Sequence, residues 1–424
     1  MSNWDVLIVG GGPAGCAAGN LLAQAGARTL VLEGGAFPRH HIGESLLPAS
    51  MPVLERLGVG RGQLSAGMQH KFGARFYDAE HDDMASFDFD APSAPRQAKD
   101  AAEAPVEYPP SYQVERAIFD EWLLDAAVRQ GCQVRQKAVV AALDEDAAEP
   151  TARLADGTVE RARFLIDASG QRALLAGKRQ TRQLLPNLGR VAVYSYFENL
   201  APHDVQDPRY ITMYIFEGGW FWLIPLADGR TSVGVVLSQR ALAALRDAAP
   251  QTGGLSGAAL FAAAVRQLPR LERRMRAARR VEPWRAVTDY SYRVRERTGP
   301  RFALIGDAAG FLDPIFSSGV HMGLMSAQAV APAVLQALDG DGSGLAGYSH
   351  FYARGYRVFE TFVDRFYNRG LLRNVFFTMP RQPDMRQALI RLLAGYVWDE
   401  TNPLVQMAVR ATDPLAESPA AESA

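Results

Sequence analysis

Three mostly apolar runs along the chain each end in a turn of small residues. Residues 5–9 are apolar enough for a buried parallel strand, and the turn Gly10 to Gly15 follows at once. Residues 164–167 lead in the same way into Ala168-Ser169-Gly170, and residues 302–305 lead into Gly306-Asp307. Three such units, separated by long insertions, predict an α/β fold with one parallel sheet assembled from distant parts of the chain.

The first unit has the pattern of a dinucleotide-binding βαβ segment. An alanine-rich helix is predicted to end near Gly26, and residues 29–32 predict a second strand that leads to Glu33. The motif G-x-G-x-x-G is formed by Gly10, Gly12 and Gly15. Its glycines allow the backbone to approach a pyrophosphate at the helix N-terminus, and the acid after the second strand is placed to bind a ribose hydroxyl.

Alternating apolar and polar residues predict a second, antiparallel sheet between the second and third units. Its strands are predicted at residues 191–197, 210–216, 221–225 and 232–237. Residues 71–77 alternate in the same way, which places Lys71, Gly73, Arg75 and Tyr77 on one face of a strand. Shorter strands are predicted near residues 134–143 and 151–154.

Amphipathic segments predict the helices. They are expected after Arg116 as far as Gly131, twice within residues 240–280, as far as Leu335 after the third unit, and over residues 346–396. Residues 78–107 are acidic and rich in alanine and proline, so they predict a long surface loop. The residues from 411 onward predict a disordered tail.

Composition narrows the class of protein. The chain has 424 residues, of which 48% are hydrophobic, and its formal net charge of -1 gives no global attraction to nucleic acid. Of its two cysteines, Cys16 falls in a buried turn, so a disulfide framework is not expected and a cytoplasmic location is predicted. No secretory signal or apolar run of membrane-spanning length is visible. His40 and His41 have no partners at metal-ligand spacing, so no metal site is predicted.

Lysine is rare in this chain. Only four of the 45 basic residues are lysines, namely Lys71, Lys99, Lys137 and Lys178. Where arginine is the default, a lysine can mark a position that needs an amine able to lose its proton, because arginine stays protonated. We apply that interpretation to Lys71 and expect the other three to be ordinary surface residues.

The run Trp220-Phe221-Trp222-Leu223-Ile224-Pro225 concentrates bulky, rigid side chains in one strand. One interpretation is a core strand that ends at a proline, since short aromatic runs are most often packing. The other is a dry wall that fixes the width of a passage, because tryptophan has a large apolar area and few rotamers. The nucleotide motif upstream favours the wall.

The chain as far as residue 400 resembles the FAD-dependent monooxygenase superfamily of the p-hydroxybenzoate hydroxylase type, and within it the flavin-dependent halogenases. The superfamily features are the Gly10 to Gly15 turn, Glu33, the segment from Tyr112 to Arg116, the turn at residues 167–170, and Gly306-Asp307. The halogenase features are W-x-W-x-I-P at residues 220–225, Gly43-Glu44-Ser45, residues 71–76, and Asp313 to Gly319.

The resemblance implies a Rossmann-like (GR2-type) FAD-binding domain with an inserted antiparallel sheet on the substrate side and a C-terminal helical region. It implies that reduced FAD, oxygen and chloride or bromide produce hypohalous acid, which passes along a tunnel to Lys71 as the catalytic residue. The tunnel and wall residues are then Trp220, Trp222, Ile224, Pro225 and Phe316, and the halide contacts are the amides of Ser318 and Gly319. The implied FAD contacts are Gly10, Gly12, Pro13, Ala14, Gly15, Glu33, Arg39, Glu44, Ser45, Arg116, Gly306, Asp307, Gly319 and Val320.

Phe316 departs from the pattern of the tryptophan halogenases, which carry a glutamate there. The forms at Lys71 and Asp313 are similar to the branch that acts on phenols and pyrroles. An electron-rich ring of that kind needs less acid–base assistance. The resemblance therefore implies a phenol or pyrrole substrate, free or tethered to an acyl or peptidyl carrier protein, and a separate flavin reductase as partner. Two other functions remain open from the residues alone: a single-component FAD/NADPH aromatic hydroxylase and an isoprenoid-reductase-like flavoprotein.

Two arginine-rich segments suggest a docking face for an acidic carrier protein. One holds seven arginines over residues 266–280, and the other holds eight over residues 352–391. They are either solvated helix faces or a surface that steers the carrier into place. The resemblance also divides the chain into FAD-binding parts at 1–77, 111–175 and 291–337, a surface loop at 78–110, the inserted substrate-side part at 176–290, a helical region at 338–410 and a tail at 411–424.

Overall fold

The computed structural model describes residues 4–89, 109–201, 209–247, 256–288 and 290–410. Its strands are β1 Trp4–Val9, β2 Thr29–Leu32, β3 Gln69–Lys71, β4 Gly73–Asp78, β5 Asp83–Asp88, β6 Ser111–Gln113, β7 Gln133–Arg135, β8 Val140–Asp144, β9 Thr151–Leu154, β10 Val159–Asp167, β11 Arg182–Leu184, β12 Arg190–Glu198, β13 Tyr210–Phe216, β14 Gly219–Pro225, β15 Thr231–Ser238, β16 Arg279–Arg280, β17 Arg285–Thr288, β18 Tyr292–Val294, β19 Thr298–Gly299, β20 Phe302–Leu304 and β21 Gly310–Phe311. Its α-helices are α1 Pro13–Gln24, α2 Met51–Arg56, α3 Arg61–Gly67, α4 Arg116–Arg129, α5 Leu174–Lys178, α6 Gln239–Asp247, α7 Gly257–Val265, α8 Pro269–Met275, α9 Ser318–Leu338, α10 Ser343–Tyr367, α11 Arg369–Leu372, α12 Pro383–Leu393 and α13 Pro403–Arg410.

The three strand-to-glycine units come together in one sheet, as the sequence predicted. Its order is β19-β20-β10-β1-β2-β7, and β1 pairs in parallel with both β2 and β10. The four residues at the C-terminal end of β1 are buried, as is all of β2. Because parallel strands end at the same edge, the turns after β1, β10 and β20 lie side by side.

The inserted sheet forms the second layer and carries the aromatic run. Its order is β16-β12-β15-β14-β13-β4-β5, and the pairing from β12 through β15 and β14 to β13 is antiparallel as predicted. Along β14 the side chains alternate between two separate hydrophobic clusters. Trp220, Trp222 and Ile224 face the main core, whereas Phe221 and Leu223 face a second core formed with α6, α7 and α8.

Long helices cover the nucleotide sheet. Helix α9 packs against both α1 and α10, and α10 in turn contacts α13. Residues 373–378 continue from α11 as a π-helix and bury Phe376 and Phe377. Within the described residues, no helix is long and apolar enough to cross a membrane.

Several predicted elements were wrong in their bounds. Residues 71–77 do not form one strand, because the chain breaks at Phe72: β3 pairs with β6, whereas β4 pairs in parallel with β13. Lys71 consequently shares a cavity with Ala74 and Phe76, not with the predicted face of Arg75 and Tyr77. The strands predicted near 134–143 are β7 and β8, whereas the segment 240–280 holds three described helices rather than two.

The surface loop predicted after Tyr77 is also shorter than expected. Residues 83–88 form β5, an edge strand that pairs with β4 through the register Tyr77↔Met84. Alanine and aspartate in this segment lowered its apparent strand propensity, but pairing with β4 overrides that preference. The rest of the predicted loop, residues 90–108, and the predicted tail from 411 lie outside the described residues.

Candidate active site

A cavity of about 540 Å³ lies where the two sheets face each other. It is bounded by the three glycine turns, the start of α9 and the main-core face of β14. Of the predicted FAD contacts, all but Gly15 line it: Gly10, Gly12, Pro13, Ala14, Glu33, Arg39, Glu44, Ser45, Arg116, Gly306, Asp307, Gly319 and Val320.

Glycine is required at two positions of the first turn for different reasons. Gly10 has φ of +106°, and a Cβ there would lie 2.3 Å from the carbonyl oxygen of Ala168 in the second turn. A Cβ at Gly15 would lie 1.9 Å from the carbonyl oxygen of Gly10. Gly15 therefore sets the contact between helix α1 and the turn, and it does so from outside the cavity.

One acidic and one basic side chain, Glu33 and Arg39, lie beside the first turn. Glu33 accepts hydrogen bonds from the backbone N–H of Gly11 at 2.7 Å and of Gly35 at 2.8 Å. The guanidinium of Arg39 lies 3.4 Å from Glu33 and also close to the position a Cβ would take at Gly12. This places a positive charge beside the glycine turn, where a pyrophosphate would bind.

Arg116 anchors the segment that follows Arg39. At the start of α4, its guanidinium donates to Asp120 at 2.7 and 2.9 Å and to the carbonyl oxygen of Ile42 at 2.5 Å. All of Arg116 except a few per cent is buried. The bidentate ion pair orients the guanidinium, and its hydrogen bonds to the carbonyl oxygens of Ile42 and Gly43 hold the loop that carries Glu44.

Two acids, Glu44 and Asp307, line the same cavity. Burial raises the pKa of Glu44 to about 7, although the Tyr196 hydroxyl donates to its carboxylate at 2.7 Å. Burial raises the pKa of Asp307 to about 6, and the charge of Arg116 opposes this shift. Both carboxyls can therefore exchange protons near neutral pH.

The aromatic run forms one wall of the cavity. Trp220, Trp222 and Ile224 line it, whereas Pro225 ends β14 beyond the lining. The two indoles are 5.9 Å apart between ring centroids. Gly234 on the neighbouring strand makes room for Trp222, since a Cβ there would lie 2.2 Å from the indole.

The start of α9 forms part of the cavity lining. Ser318, Gly319 and Val320 are the first residues of this 21-residue helix, and all three line the space. The first N–H groups of a helix have no partner within it and carry the positive end of the helix dipole. Ser317, which precedes them, has φ of +55°. The arrangement can bind a small anion.

Lys71 lies in a separate, much smaller cavity of about 10 Å³, room for about one water molecule. The lining is apolar apart from Lys71 itself and Ser317, and it includes Phe316, Phe76 and Phe89. The ammonium donates to the carbonyl oxygen of Leu46 at 2.8 Å and lies 5.3 Å from the centre of the Phe89 ring. Burial alone lowers the pKa of Lys71 from 10.5 to about 7, so much of it is a neutral amine at physiological pH.

Two residues separate the cavities and line both of them: Ile211 on β13 and Ser317 before α9. Phe316 therefore belongs to the Lys71 cavity rather than to the cavity of the indole wall. The two cavities are therefore neighbours at Ile211 and Ser317, next to the start of α9. A larger molecule in the main cavity is kept from Lys71 by the same partition.

Three contributors to the site were missed in the sequence. The carbonyl oxygen of Leu46 holds Lys71, and no sequence signal marks a backbone acceptor. Tyr196 pairs with Glu44 across 152 residues, and it appeared only as an ordinary strand aromatic. Gly234 had a usable signal, because an isolated glycine within a strand pattern indicates close approach of another group.

The residues around the main cavity fit a flavin dinucleotide. A glycine turn at a helix N-terminus, Arg39 beside it and Glu33 after the second strand match a pyrophosphate and ribose. The hydroxyls of Ser45 and Tyr290 are buried, line the cavity and have no hydrogen-bond partner among the described residues. Such groups are expected to bond a ligand. When bound and reduced, FAD would supply the two electrons that reduce molecular oxygen to the peroxide level, and oxygen at that level can oxidise a halide.

Fold and site together define a flavoprotein of the halogenating class: a dinucleotide cavity, an indole wall, an anion site at a helix start and an isolated buried lysine. The chain belongs to the tryptophan halogenase family, whose profile matches residues 5–94 and 91–393. It is thus a flavin-dependent halogenase that uses FAD and a halide.

Two relatives and one solved structure are similar to this chain over nearly its whole length. The chain is 32% identical over 416 residues to the 1H-pyrrole-2-carbonyl-(peptidyl-carrier protein) chlorinase of Pseudomonas fluorescens, covering 93% of this chain and 90% of that protein. It is 28% identical over 411 residues to the corresponding brominase of Pseudoalteromonas luteoviolacea, covering 94% and 93%. Among solved structures it is similar to the flavin-dependent brominase Bmp2, with a TM-score of 0.83 and 25% identity over 96% of this chain and 98% of that one.

Proposed function

We propose that this chain halogenates a pyrrole held as a thioester on a peptidyl carrier protein, with Lys71 as the catalytic residue. The observation that carries the proposal is the burial of Lys71 in a small apolar cavity that shares Ile211 and Ser317 with the lining of the main cavity. Two relatives that the chain matches over nearly their whole length act on such a carrier-bound pyrrole. A phenol is the second candidate ring.

The surroundings of Lys71 suit the transfer of an electrophilic halogen. Its amine is desolvated, and with a pKa of about 7 a large share of it is neutral near pH 7, so its nitrogen can receive halogen or hold hypohalous acid by hydrogen bonding. The cavity has room for about one water molecule and none for flavin. Phe316 supplies an apolar surface where tryptophan halogenases carry an acid, which suits a ring reactive enough to need no such assistance.

The main cavity supplies the oxidant under this proposal. The amides of Ser318 and Gly319 hold the halide, and the indoles of Trp220 and Trp222 keep the ring to be halogenated away from the flavin. A separate flavin reductase supplies reduced FAD, and the cytoplasm is the proposed compartment.

The docking surface for the carrier is smaller than the sequence suggested. In the second arginine-rich segment, Arg369 pairs with Glu80 at 2.5 Å, Arg373 lies 3.3 Å from Asp78, and Arg391 pairs with Asp399. Those charges are largely neutralised. Of the first segment, Arg266 and Arg276 are exposed and have no ion pair among the described residues. We place the carrier contact on the first segment.

The test supplies FAD, a flavin reductase, NADH and chloride or bromide, and compares pyrrole-2-carboxylate with its carrier-bound thioester. Halogenated product that requires halide and appears on the thioester supports the proposal. Oxygenated product without halide, together with NADPH oxidation by the chain alone, would reject it in favour of a hydroxylase. Equal turnover of the free acid would reject the carrier.

Charge reversal tests the docking surface. Arg266→Glu with Arg276→Glu should raise KM for the carrier-bound substrate by about tenfold and leave kcat unchanged, since surface charges act on encounter. Arg56→Glu, an exposed arginine on α2, is the matched control and should leave KM unchanged. This placement would be contradicted if Arg56→Glu raised KM as much as the double variant did. It would also be contradicted if added salt left the KM of the native chain for the carrier-bound substrate unchanged.

A further inference from the structure

The two indoles of the wall are held by different parts of the chain. Trp222 donates its indole N–H to the hydroxyl of Ser232 at 3.2 Å, within the same sheet. Trp220 instead donates to the hydroxyl of Tyr367 at 3.0 Å, which is the last residue of α10. The orientation of Trp220 therefore depends on a helix that lies outside the sheet.

Tyr367 continues the contact to the loop that begins α9. Its hydroxyl donates to Asp313 at 2.7 Å, and the other carboxylate oxygen of Asp313 accepts from the backbone N–H of Ile315 at 3.1 Å. Asp313 is fully buried. Because the tyrosine hydroxyl accepts from one group and donates to the other, a single atom joins the wall to the loop.

The ring of Tyr367 is also fixed from the opposite side. The guanidinium of Arg190, on β12, lies 4.2 Å from the ring centre. Burial raises the pKa of Tyr367 well above its ordinary value, so the hydroxyl keeps the proton that it donates to Asp313. Tyr367 itself lines neither the main cavity nor the Lys71 cavity, so it would act on them through Trp220 and Asp313.

We propose that Tyr367 is a positioning residue that sets the distance between Trp220 and the Asp313 to Gly319 loop, and thereby the partition that oxidant passes on its way to Lys71. The proposal rests on the function proposed above. Phe316 and Ser317 lie within that loop, and Ser317 is part of the partition. Without the hydroxyl, the indole and the loop would move independently, and oxidant would escape as free hypohalous acid.

Tyr367→Phe removes the hydroxyl and keeps the ring. Tyr356→Phe is the matched control, because Tyr356 is buried on the same helix and donates to the carbonyl oxygen of Tyr292 at 2.9 Å, away from the wall. The first measurement is the indole ¹⁵N–¹H spectrum of protein labelled at tryptophan, with the Trp220 signal assigned from Trp220→Phe. We expect that signal to shift in Tyr367→Phe and to stay in place in Tyr356→Phe.

The second measurement is the ratio of ring-halogenated product to hypohalous acid trapped by monochlorodimedone. In Tyr367→Phe this ratio should fall roughly fivefold, the effect of losing about one buried hydrogen bond's worth of ordering. Tyr356→Phe should keep the native ratio. An unchanged ratio in Tyr367→Phe, or an equal fall in both variants, would overturn the proposal. A native chain with no halide-dependent product would instead reject the proposed function, while the spectra would still test the contact.

Discussion

Replacing Lys71 with methionine should stabilise the protein at neutral pH while abolishing halogenation. Burial lowers the pKa of Lys71 from 10.5 to about 7, so between these values the unfolded chain binds more protons than the folded chain. Since one pKa unit corresponds to about 1.36 kcal/mol, the buried lysine costs about 4 kcal/mol at pH 7 and about 2 kcal/mol at pH 9. The cost is fully present below pH 7 and disappears as the pH rises through 10.5.

Methionine is a suitable replacement because it leaves no buried acceptor without a donor. The carbonyl oxygen of Leu46 accepts from Lys71 at 2.8 Å and also from the hydroxyl of Ser111 at 2.8 Å, so one donor remains in the variant. The long, flexible thioether side chain fills a similar volume in the apolar cavity.

Urea unfolding followed by tryptophan fluorescence measures the effect at several pH values. The free energy of unfolding of Lys71→Met should exceed that of the native chain by about 4 kcal/mol at pH 7, and the gap should narrow by about half at pH 9. Lys137→Met, at an exposed lysine, should show no such pH-dependent gap. A gap that stays constant from pH 7 to 9, or a native chain more stable than Lys71→Met, would refute the reasoning.

Three further changes test the site. Gly10→Ala should weaken FAD binding at least about tenfold by titration, because its Cβ would lie 2.3 Å from the carbonyl oxygen of Ala168. Gly234→Ala should lower both Tm and coupling, because its Cβ would displace the indole of Trp222. Trp222→Ala should leak oxidant, measured as NADH consumed per halogenated product. Gly347→Ala is the shared control: no atom lies within 4 Å of its added Cβ, and this exposed helical site should gain up to about 1 kcal/mol. Full coupling in Trp222→Ala would mean that the wall is only core packing.

The sequence predicted the parts of the site that depend on local pattern. Strand, glycine turn and helix follow one another in the first unit, and the aromatic run was predicted as a strand that walls a passage, where Trp220 and Trp222 now line the main cavity. Both rest on neighbours in the chain, so no knowledge of distant contacts was needed.

Contacts between segments that are distant in the chain could not be predicted from the sequence pattern. The alternation of residues 71–77 predicted one strand and did not reveal the break at Phe72. The break arises because residues 69–71 pair with β6, whereas residues 73–78 pair with β13. The ion pairs of the arginine-rich segment at residues 352–391 were also not predictable from local pattern. Arg369 and Arg373 pair with Glu80 and Asp78, which lie almost 300 residues earlier in the chain.

The parallel pairing of β4 with β13 has a consequence for exchanging parts between relatives. The strand that follows Lys71 belongs to the same ladder as the strand beside the indole wall, with Phe76 opposite Met213. A chimera that transplanted only residues 176–290 would leave that ladder to form between host and donor segments. A slip of one residue would turn the side chains of β4 to the opposite face. A chimera should therefore exchange residues 69–88 together with the inserted sheet, because the two segments form one ladder although they are far apart in the sequence.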